Sequence, residues 1–583
     1  MNASGYNFND QGTLNPLAAA TDVDNTGTVY RSNGNLQIDY ALHFLPDLHF
    51  NLNLGYDVSK GENKKYTKQN SPTAWNSMAK DGAGSYYYSY ELRRNTLLDF
   101  YANYKKEVES IYSNFDITAG YSWQRFDAHG RDNASVYTTE GFLLPSATNN
   151  VLTINPETAD RIGKSYNDAP WHYWNSGNLQ LISFFGRLNY TFRDTYLLTF
   201  TLRDDGTSRF SKDNRWGLFP AVALGWKINN MPFMEKLSET MNEFKLRLGW
   251  GQTGQQSVGG YFDYMPTYAV SQPGSFYPNI YTGTYTNPYT YYPNGYNPNL
   301  KWETTTTWNV GLDMGWLNNR ITLALDWYLK ESKDLLATVT VSPGAATTNE
   351  MTQNVGSLRN VGLEATVGAG IIRTEDFTWN TSYNIAWNKN KITKLNASDD
   401  PNYYVTLGGM GATGNTCQAH KVGYPAFSFL LYEQIYDQDG KPIEGAYVDQ
   451  NGDGQISDAD LVLKHSAAPK VTMSWTNSLS YKNWDFSIAL RASIGNYVYN
   501  NVRAKHTYTN GIYMNSTLRN LVKNDNYFVA QQYYSDYYLI AKYYNGDWKP
   551  NWSDQNEYKY FIIYNGDIYK VDHNWTTISN NIY

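Results

Sequence analysis

The sequence predicts an all-β protein, a transmembrane antiparallel β-barrel, and three observations lead to that class. Long segments alternate apolar and polar residues with the period-two pattern of strands. Aromatic residues make up 16% of the 583 residues, yet the mean hydropathy is −0.59, that of a polar protein. No run of about 18 apolar residues predicts a membrane helix. A barrel with a polar lumen, aromatic girdles and solvated loops combines these properties.

The clearest hairpin runs from Thr304 to Lys330. One face of each strand is mostly apolar, and the other face is small or polar. Each strand also has the length of about 9–11 residues that a tilted strand needs to cross the hydrocarbon. We therefore expect two membrane-spanning strands. The face that we expect to meet lipid carries Thr306, Trp308, Val310, Leu312, Met314, Trp316, Ile321, Leu323, Leu325, Trp327 and Leu329.

The same pattern recurs along the chain in six further hairpins. With the first hairpin they make roughly fourteen strands by period counting. In chain order, the paired apolar faces are those of residues 36–44 and 50–56, 98–104 and 115–123, 184–192 and 196–202, 218–228 and 244–250, 363–371 and 377–387, and 473–481 and 484–490.

Short turns alternate with long loops between these strands. We expect turns at residues 45–47, 105–107, 193–195 and 482–483, and a long loop from Gln124 to Asn178. Membrane barrels have short periplasmic turns and long extracellular loops, so the short turns mark the periplasmic side. A soluble sandwich would have strands of about five or six residues, roughly half the length seen here.

Several function classes are excluded by composition and motifs. The net charge of −7 offers no basic surface for nucleic acid. The single cysteine, Cys417, excludes an internal disulfide framework. The His residues form no HExxH motif, and the G-x-G-x-x-G of residues 409–414 lacks the βαβ context of a dinucleotide site. We therefore expect no catalytic residues and no enzyme activity.

The segment from Asp449 to Asp460 reads DQNGDGQISDAD and nearly matches the EF-hand loop. Its oxygen donors could hold a structural Ca²⁺, but it has Asp where the EF-hand has a bidentate Glu, and no flanking helix pair is evident. The alternative is an acidic loop of Asx-turns that needs no ion. The candidate ligands are Asp449, Asn451, Asp453, Gln455 through its carbonyl, and Asp460.

Residues 281–296 form a Tyr-rich loop, YTGTYTNPYTYYPNGY. Exposed aromatic rings can stack on sugar rings or hold a partner protein. The alternative is that these side chains pack loop against loop over the barrel mouth. The candidates for ligand or partner contact are Tyr285, Tyr289, Tyr291 and Tyr292.

Five blocks of sequence occur in an order that resembles one known family. The most specific, RDDGTSRFSKDNRWGLFPAVALGW at residues 203–226, is similar to R-x-D-G-S-S-R-F followed by N-R-W-G-x-F-P-x-x-x-x-G-W, with Thr207 in place of a serine. The chain thus resembles the SusC/RagA family of TonB-linked outer-membrane transporters, from about Asn15 to Asn500. The other blocks are KLRLGWGQTGQQ (245–256), NPNLKWETTTTWNVGLD (297–313), NVGSLRNVGLEA (354–365) and the acidic loop (449–460).

This resemblance implies a part of a barrel of roughly 22 strands in the cell outer membrane. It implies import of oligosaccharides or peptides, a SusD-like surface lipoprotein as partner, and energy from TonB through an N-terminal plug domain. Neither a plug nor a TonB box is found in this chain, and no signal peptide precedes it. We therefore expect Met1 to lie inside a longer gene product.

The resemblance also suggests a division of the chain. Residues 1–500 are expected to form the barrel region with its long extracellular loops. Residues 501–583, rich in Tyr and Asn, depart from the family's closing strands and are expected to be an atypical, truncated or altered end.

The first family block carries charged residues where a loop is expected to begin. They could contact ligand or form a lid, or they could form an ion-pair network that makes the loop base rigid. The residues of this motif loop are Arg203, Asp205, Ser208, Arg209, Phe210, Asn214, Arg215 and Trp216.

Two other functions remain open at this point. One is an outer-membrane adhesin or interaction barrel that uses the Tyr-rich loops without active transport. The other is a secreted β-rich carbohydrate-active enzyme.

Overall fold

The computed structural model consists almost wholly of β-structure. Within the residues it describes, no helix combines the length and the apolar character needed to cross a membrane. It describes residues 16–68, 71, 84–138, 141–143, 153–154, 161–162, 172–257, 259–270, 291–340, 350–395, 400, 402–409, 416–440, 442–501 and short strands between 530 and 571.

Fourteen long strands of the described chain follow one another in a single antiparallel sheet, and the short strand Gly141–Leu143 pairs with the fourth of them as the fifteenth strand of that sheet. This meander confirms the strands expected from period counting. The strands are β1 Val23–Leu42, β2 Leu45–Thr67, β3 Gly84–Val108, β4 Ser113–Thr138, β5 His172–Phe192, β6 Tyr196–Thr207, β7 Trp216–Lys227, β8 Met241–Gln255, β9 Glu303–Trp316, β10 Ile321–Thr340, β11 Glu350–Arg373, β12 Phe377–Lys394, β13 Val471–Tyr481 and β14 Trp484–Ile494.

The register places the apolar residues of neighbouring strands side by side. Leu224 pairs with Leu248, and Leu248 pairs with Val310; Val310 in turn pairs with Trp327, which pairs with Leu363. Because side chains alternate between faces, a slip of one residue would move the whole apolar set to the other face. These pairs therefore form an outward belt that suits lipid, and the opposite face lines the lumen.

The first four barrel strands are much longer than a membrane requires. The longest of them, β4, has 26 residues, or roughly 85 Å at about 3.3 Å per residue, against an apolar band about 25 Å tall. Both β4 and β5 extend into the stretch predicted to be a loop from Gln124 to Asn178. That loop prediction was wrong at its ends, because paired backbone hydrogen bonds continue the sheet above the membrane.

Two predicted turns are displaced and two are confirmed. Strand β2 already begins at Leu45, and β3 includes residues 105–107. The chain reverses instead at residues 43–44 and in the 3-10 turn Glu109–Ile111, which ends on Tyr112 at φ 50°. The turns at residues 193–195 and 482–483 lie where they were expected. Three of these turns contain left-handed residues, namely Tyr112, Arg193 with Asp194, and Lys482, a backbone that short turns accommodate.

Short elements complete the described chain. Helices Pro16–Thr21 and Glu235–Ser238 and 3-10 turns Ile228–Asn230, Pro232–Met234 and Asp458–Asp460 lie between strands. Minor strands are Gly141–Leu143, Thr153–Ile154, Arg161–Ile162, Tyr268–Val270, Tyr291–Pro293, Ala530–Tyr533, Asp536–Leu539, Ala541–Tyr544, Asp547–Pro550, Tyr560–Tyr564 and Asp567–Val571.

The chain divides into two compact units, residues 1–386 with 474–490 and residues 387–473 with 491–583. The first unit holds most of the long sheet. Within the second, strands Tyr404–Gly409, Thr416–Lys421, Ser428–Tyr432 and Leu461–Ser466 form a separate four-stranded sheet, beside the hairpin of Gln434–Tyr436 and Pro442–Tyr447. The division expected at residue 500 stays a prediction.

Candidate functional site

The lumen face near the extracellular end of β6 carries the first motif residues. Arg203 donates a hydrogen bond from Nε to Asp205 Oδ1 at 2.7 Å and from Nη2 to Ser183 Oγ at 2.8 Å. Its guanidinium also lies 5.7 Å from the ring centre of Phe185. Both charged residues belong to a strand, so the expectation that they follow the strand in a loop was wrong. Alternation points them into the lumen, opposite Leu202.

A cavity of about 220 Å³ opens beside this ion pair. It brings together donors and acceptors from four strands and one indole ring, and its only charged side chains are the paired Arg203 and Asp205. Such a lining suits a neutral polar ligand that forms hydrogen bonds and stacks on an aromatic ring. The lining residues are Ser122, Gln124, Leu181, Ser183, Arg203, Asp205, Gly206, Gly254, Gln255, Gln256 and Trp302.

The turn between β6 and β7 is held by backbone hydrogen bonds and by an aromatic cluster. The Ser208 N–H donates to the Gln180 carbonyl at 3.0 Å, and Ser208 Oγ accepts from the Gln180 N–H at 3.0 Å. Phe210 is only 2% exposed and packs with Leu300 and Leu336. This cluster, which we call the mouth core, contains Phe210, Leu300, Leu336, Tyr264 and Trp302.

The remaining motif residues surround the mouth core. Trp302 donates its indole N–H to the Arg215 carbonyl at 2.9 Å, and the Asn214 N–H donates to the Ser211 carbonyl at 3.1 Å. Trp216 lies on the outer face, with its ring 6.1 Å from that of Phe184. Two distant family blocks, residues 203–226 and 297–313, therefore meet here.

Arg209 is buried without a carboxylate partner within the described residues. It donates a hydrogen bond to the Gly259 carbonyl at 3.0 Å, and its guanidinium lies 4.4 Å from the ring centre of Tyr261. Burial lowers the pKa of Arg209 from its ordinary value, and the nearby Asp263 partly opposes this shift. Of the charges in the motif, only Arg203 and Asp205 form an ion pair within the described chain. The rigidity expected from ion pairs comes instead from packing.

The segment Gly259–Asp263 contacts β5, β11 and the turn between β6 and β7. Asp263 accepts from the Gly260 N–H at 2.9 Å and from Thr352 Oγ1 of β11 at 3.1 Å. The backbone at Gly177 of β5 approaches the Phe262 ring so closely that a Cβ there would lie 2.5 Å from it. The segment thus links β5 and β11, two strands that are far apart in the order of the sheet.

A buried carboxylate ties β9 to β10 at the same level. Glu303 accepts the Leu336 N–H at 2.7 Å, and burial raises the pKa of the Glu303 carboxyl. Sequence reasoning did not single out this residue, although it lies inside the NPNLKWE block. The sequence feature that could have identified Glu303 is its position as a charged residue beside Trp302, at the end of an alternating strand pattern.

A second charge cluster lies on the lumen wall inside the membrane. Arg247 of β8 forms bidentate hydrogen bonds to Asp313 of β9, at 2.7 and 2.8 Å, and to Asp326 of β10, at 3.0 and 3.0 Å. Gly311 leaves room for this guanidinium, since a Cβ there would lie 2.6 Å from its central carbon. The cluster joins three strands on their polar face.

The acidic loop is organised by its own backbone. Asp449 accepts from the N–H groups of Gly452 and Gly454, both at 2.7 Å. Asp460, fully buried, accepts from the N–H groups of Gln450 at 2.8 Å and Ser457 at 2.7 Å, and these hydrogen bonds lower its pKa. Within the described chain, no three His, Cys, Asp or Glu side chains are grouped as metal ligands. The candidate donors also include the Asn451 amide and the Gln455 backbone carbonyl, which do not belong to those four side-chain types. Calcium binding therefore stays a prediction.

The predicted loop donors Asn451 and Asp453 are also engaged locally. Asp453 Oδ1 accepts the Gln455 N–H at 2.8 Å, and Asn451 Oδ1 accepts the Asp453 N–H at 3.0 Å. These are the contacts of successive Asx-turns. The structure thus shows the arrangement that the alternative interpretation requires, whether or not an ion joins it.

The Tyr-rich loop is only partly described. Tyr285 and Tyr289 lie outside the described residues. Tyr291 and Tyr292 belong to a short hairpin in which Tyr292 pairs with Ala269. The Tyr292 side chain is 48% exposed, which leaves it accessible to a ligand or a partner.

Comparison with known proteins places this fold and these blocks in a family. The family model "TonB dependent receptor-like, beta-barrel" matches residues 1–416. The chain is 40% identical over 523 residues to the TonB-dependent receptor SusC of Bacteroides thetaiotaomicron, covering 88% of this chain and 48% of that protein. It is 31% identical to the TonB-dependent receptor P3 of Formosa agariphila, covering 86% of this chain and 48% of that protein.

Solved structures show the same fold. The RagAB peptide importer in its open-open state matches with a TM-score of 0.67 at 21% identity, covering 85% of this chain and 50% of that chain. The chain spans about half the length of the curated relatives it matches. Their family is not one of enzymes, which agrees with the motif analysis and removes the secreted enzyme from consideration. The protein belongs to the TonB-dependent receptor β-barrels of the outer membrane, in the SusC/RagA group.

Proposed function

We propose that this chain forms the barrel wall of a TonB-dependent importer that takes up oligosaccharides. The observation that carries the proposal is the 40% identity to SusC over 88% of the chain. The lumen cavity at Arg203 and Asp205 supports it, because paired charges, amides and hydroxyls beside Trp302 match a neutral ligand rich in hydroxyl groups. A peptide is the competing substrate class, since the similar RagAB structure is that of a peptide importer.

Energy and partner follow from the same proposal. A plug domain linked to TonB would drive transport, and a SusD-like lipoprotein would deliver the ligand at the extracellular mouth. Exposed aromatic side chains support a docking surface there: Phe262 is 43% exposed and Tyr268 is 67% exposed. Tyr285, Tyr289, Tyr291 and Tyr292 are proposed as contacts in the same region.

The test measures uptake of fluorescent oligosaccharides and, in parallel, of fluorescent peptides by cells that express the protein or lack its gene. Oligosaccharide uptake should require both the gene and an energised inner membrane. Arg203→Gln with Asp205→Asn should lower that uptake, whereas Lys212→Gln on the exposed extracellular turn should not. Uptake of peptides without uptake of oligosaccharides would show that peptides, and not oligosaccharides, are the substrate class. Uptake of neither, with surface adhesion lost on deletion, would favour an interaction barrel instead.

The acidic loop is proposed as a calcium site that stiffens its part of the chain. Calcium should slow protease cleavage within residues 449–460, and the chelator EGTA should reverse that effect. Asp449→Asn should remove the calcium effect, because position one of the loop supplies a ligand, while the exposed Asp439→Asn serves as the control. Identical cleavage rates with calcium and with EGTA would contradict calcium binding and support the ion-free loop of Asx-turns.

A further inference from the structure

An apolar groove lies on the outer face of the sheet, across strands β5 to β8. Its volume is about 410 Å³, which falls within the range of roughly 300–1,000 Å³ that is typical of ligand sites. Its walls are side chains of the outward belt, so the groove opens toward the hydrocarbon of the membrane. The lining includes Tyr190, Leu198, Leu224, Trp226, Leu246 and Leu248.

The groove is compact because its walls occupy two successive rows of the register. In one row, Leu198 pairs with Leu224, which pairs with Leu248. In the next row on the same face, Tyr196 pairs with Trp226. Neighbouring strands lie about 4.8 Å apart and successive rows on one face about 6.6 Å apart, so four strands and two rows span about 14 Å by about 7 Å. A single bound molecule can therefore contact all of the walls.

A row of aromatic rings borders the periplasmic end of the groove. The ring centre of Phe192 lies 6.3 Å from that of Tyr196, and the ring centre of Tyr196 lies 6.5 Å from that of Trp226. Phe192 and Tyr196 flank the short turn at residues 193–195, which belongs to the periplasmic side. Aromatic girdles of membrane barrels lie at the level of the lipid headgroups. This end of the groove therefore lies at the headgroups of the periplasmic leaflet.

Arg193 continues this row and forms no ion pair with any carboxylate of the described residues. Its guanidinium lies 5.2 Å from the ring centre of Phe192 and 5.7 Å from that of Tyr112. Its backbone N–H donates to the Tyr112 carbonyl at 2.8 Å, which holds the turn in place. The neighbouring Asp194 pairs with Lys227 instead, at 2.7 Å. A single aromatic ring thus separates an exposed cation from the wall of the groove.

The groove, the rings and the cation follow one another toward the periplasm in the order of the parts of a phospholipid. The apolar groove suits an acyl chain, the rings suit the interface, and Arg forms bidentate hydrogen bonds with phosphate. We propose that this site binds one phospholipid of the periplasmic leaflet, with an acyl chain in the groove and the phosphate on Arg193. This proposal rests on the membrane barrel alone and does not depend on the transported substrate.

The experiment is native mass spectrometry of the protein purified from outer membranes in detergent, titrated with dioleoyl phosphatidylglycerol. One lipid should bind at concentrations at which the other lipids of the belt are replaced by detergent. Arg193→Gln should weaken the binding of this first lipid about fivefold, the effect of one cation near anionic headgroups. The control is Lys482→Gln, which should bind like the parent. Lys482 has the same backbone φ of 51° in another short turn and also lies over a neighbouring ring, that of Tyr481.

A second pair of variants tests the groove. Leu198→Trp fills part of the groove and should weaken the binding of the first lipid about 15-fold, since the indole ring takes the place of about two methylene groups. Leu363→Trp places the same ring elsewhere on the belt, on β11, where Leu363 is 51% exposed. This control should bind like the parent. Equal losses in the two variants would show that lipid contacts the belt without a specific site, which would overturn the proposal.

Two further measurements on the parent protein separate a phospholipid site from an acyl-chain site and from a free-phosphate site. Dioleoylglycerol has the same acyl chains without phosphate and should bind about fivefold more weakly than the phospholipid; equally tight binding would overturn the proposal. Inorganic phosphate at the concentration of the lipid should not displace it, and displacement would show a free-phosphate site instead. A titration without a distinct first lipid would show only exchangeable belt lipid and would also overturn it.

Folding of the variants is checked by heat-modifiable gel mobility. Arg193→Lys keeps the charge and should retain binding within about twofold, since attraction to the headgroup depends on charge. If this variant folds and loses binding as fully as Arg193→Gln, attraction to phosphate is refuted. The measurements with dioleoylglycerol and inorganic phosphate use the parent protein, so they decide the question even if a variant fails to fold.

Discussion

At the scale of single residues, the direction in which a strand side chain points decides what it tolerates. Leu325 pairs with Leu312 and Ala365 on the outer face, while its neighbour Ala324 pairs with Asp313 on the lumen face. Two residues adjacent in sequence therefore face different surroundings, lipid for Leu325 and the aqueous lumen for Ala324.

Leu325→Arg is expected to cost about 2–4 kcal/mol of folding free energy near the bilayer midplane. Ala324→Ser should be tolerated, because the lumen accepts a hydroxyl group. Both free energies follow from denaturant titrations of the barrel in lipid, read by heat-modifiable gel mobility. Equal damage from the two substitutions would contradict the assigned faces.

The Arg247 cluster shows how one side chain can hold three strands. Its guanidinium uses four hydrogen bonds to pair with two carboxylates that would otherwise repel each other. These side chains are about one quarter to one third exposed, so solvent weakens the attraction relative to a dry interior.

Arg247→Met should therefore destabilise the barrel by about 2 kcal/mol, less than the 3–5 kcal/mol of a fully buried broken pair. The additional change of Asp313 and Asp326 to Asn should recover much of that loss. Arg359→Met is the control, since its 3.6 Å pair with Glu331 is exposed and contributes about 0–1 kcal/mol. Thermal unfolding in detergent measures the loss of stability in each variant. A similar loss in the Arg359→Met control would show that the Arg247 cluster stabilises the barrel no more than an exposed ion pair does.

At the scale of elements, the mouth core replaces ion pairs as the source of rigidity. Phe210 comes from the turn between β6 and β7, Leu300 precedes β9 and Leu336 lies in β10. Packing among elements so distant in sequence stabilises loops that would otherwise be loosely held.

Phe210→Ala should cost about 3–5 kcal/mol locally, through lost burial and the cavity it leaves. Limited proteolysis should then cut the turn at residues 208–215 faster while the membrane sheet stays intact. Phe233→Ala is the control, because that ring is 65% exposed. Unchanged cleavage in the Phe210 variant would refute the role of the mouth core.

The small sheet of the second unit contains a buried titratable side chain. His420 packs edge-on against Phe427, with ring centres 4.8 Å apart. Its Nε2 is buried without a hydrogen-bond partner within the described residues. Burial lowers the pKa of His420 below its ordinary value of 6.5, so the folded sheet favours the neutral ring.

The unfolded sheet binds a proton near pH 6.5 and the folded one does so only at lower pH, so stability should fall as the pH drops below about 6.5. The loss should level off once the pH passes the folded-state pKa. This loss of stability is measured by hydrogen exchange of residues 416–421 between about pH 8 and about pH 5, after correction for the intrinsic exchange rates. His420→Phe should flatten the profile; an unchanged slope would assign the effect to other groups.

At the scale of the whole molecule, the period-two pattern accounts for the fourteen-stranded meander and for the face of each strand. It succeeded because a membrane barrel imposes lipid on one face of every strand. It failed at the upper ends of β4 and β5, where the sheet continues above the membrane and the sequence lacks the polarity contrast that reveals a strand.

The candidate site was predicted less completely than the fold. The first family block located Arg203, Asp205 and Phe210, but the role of Phe210 depended on contacts with residues about 90 to 130 positions away, Leu300 and Leu336. Nothing in the local pattern of residues 203–216 distinguishes an ion-pair network from an aromatic cluster. Packing between distant segments depends on the register of the sheet.

The sequence by itself determined the fold class, the outward belt and the family, because these depend on local alternation and on contiguous blocks. Only the tertiary structure decided that the motif loop is held by the mouth core and that Arg247 joins three strands. Each of these features depends on which residues face each other across strands. That pairing is set by register, which no single strand contains.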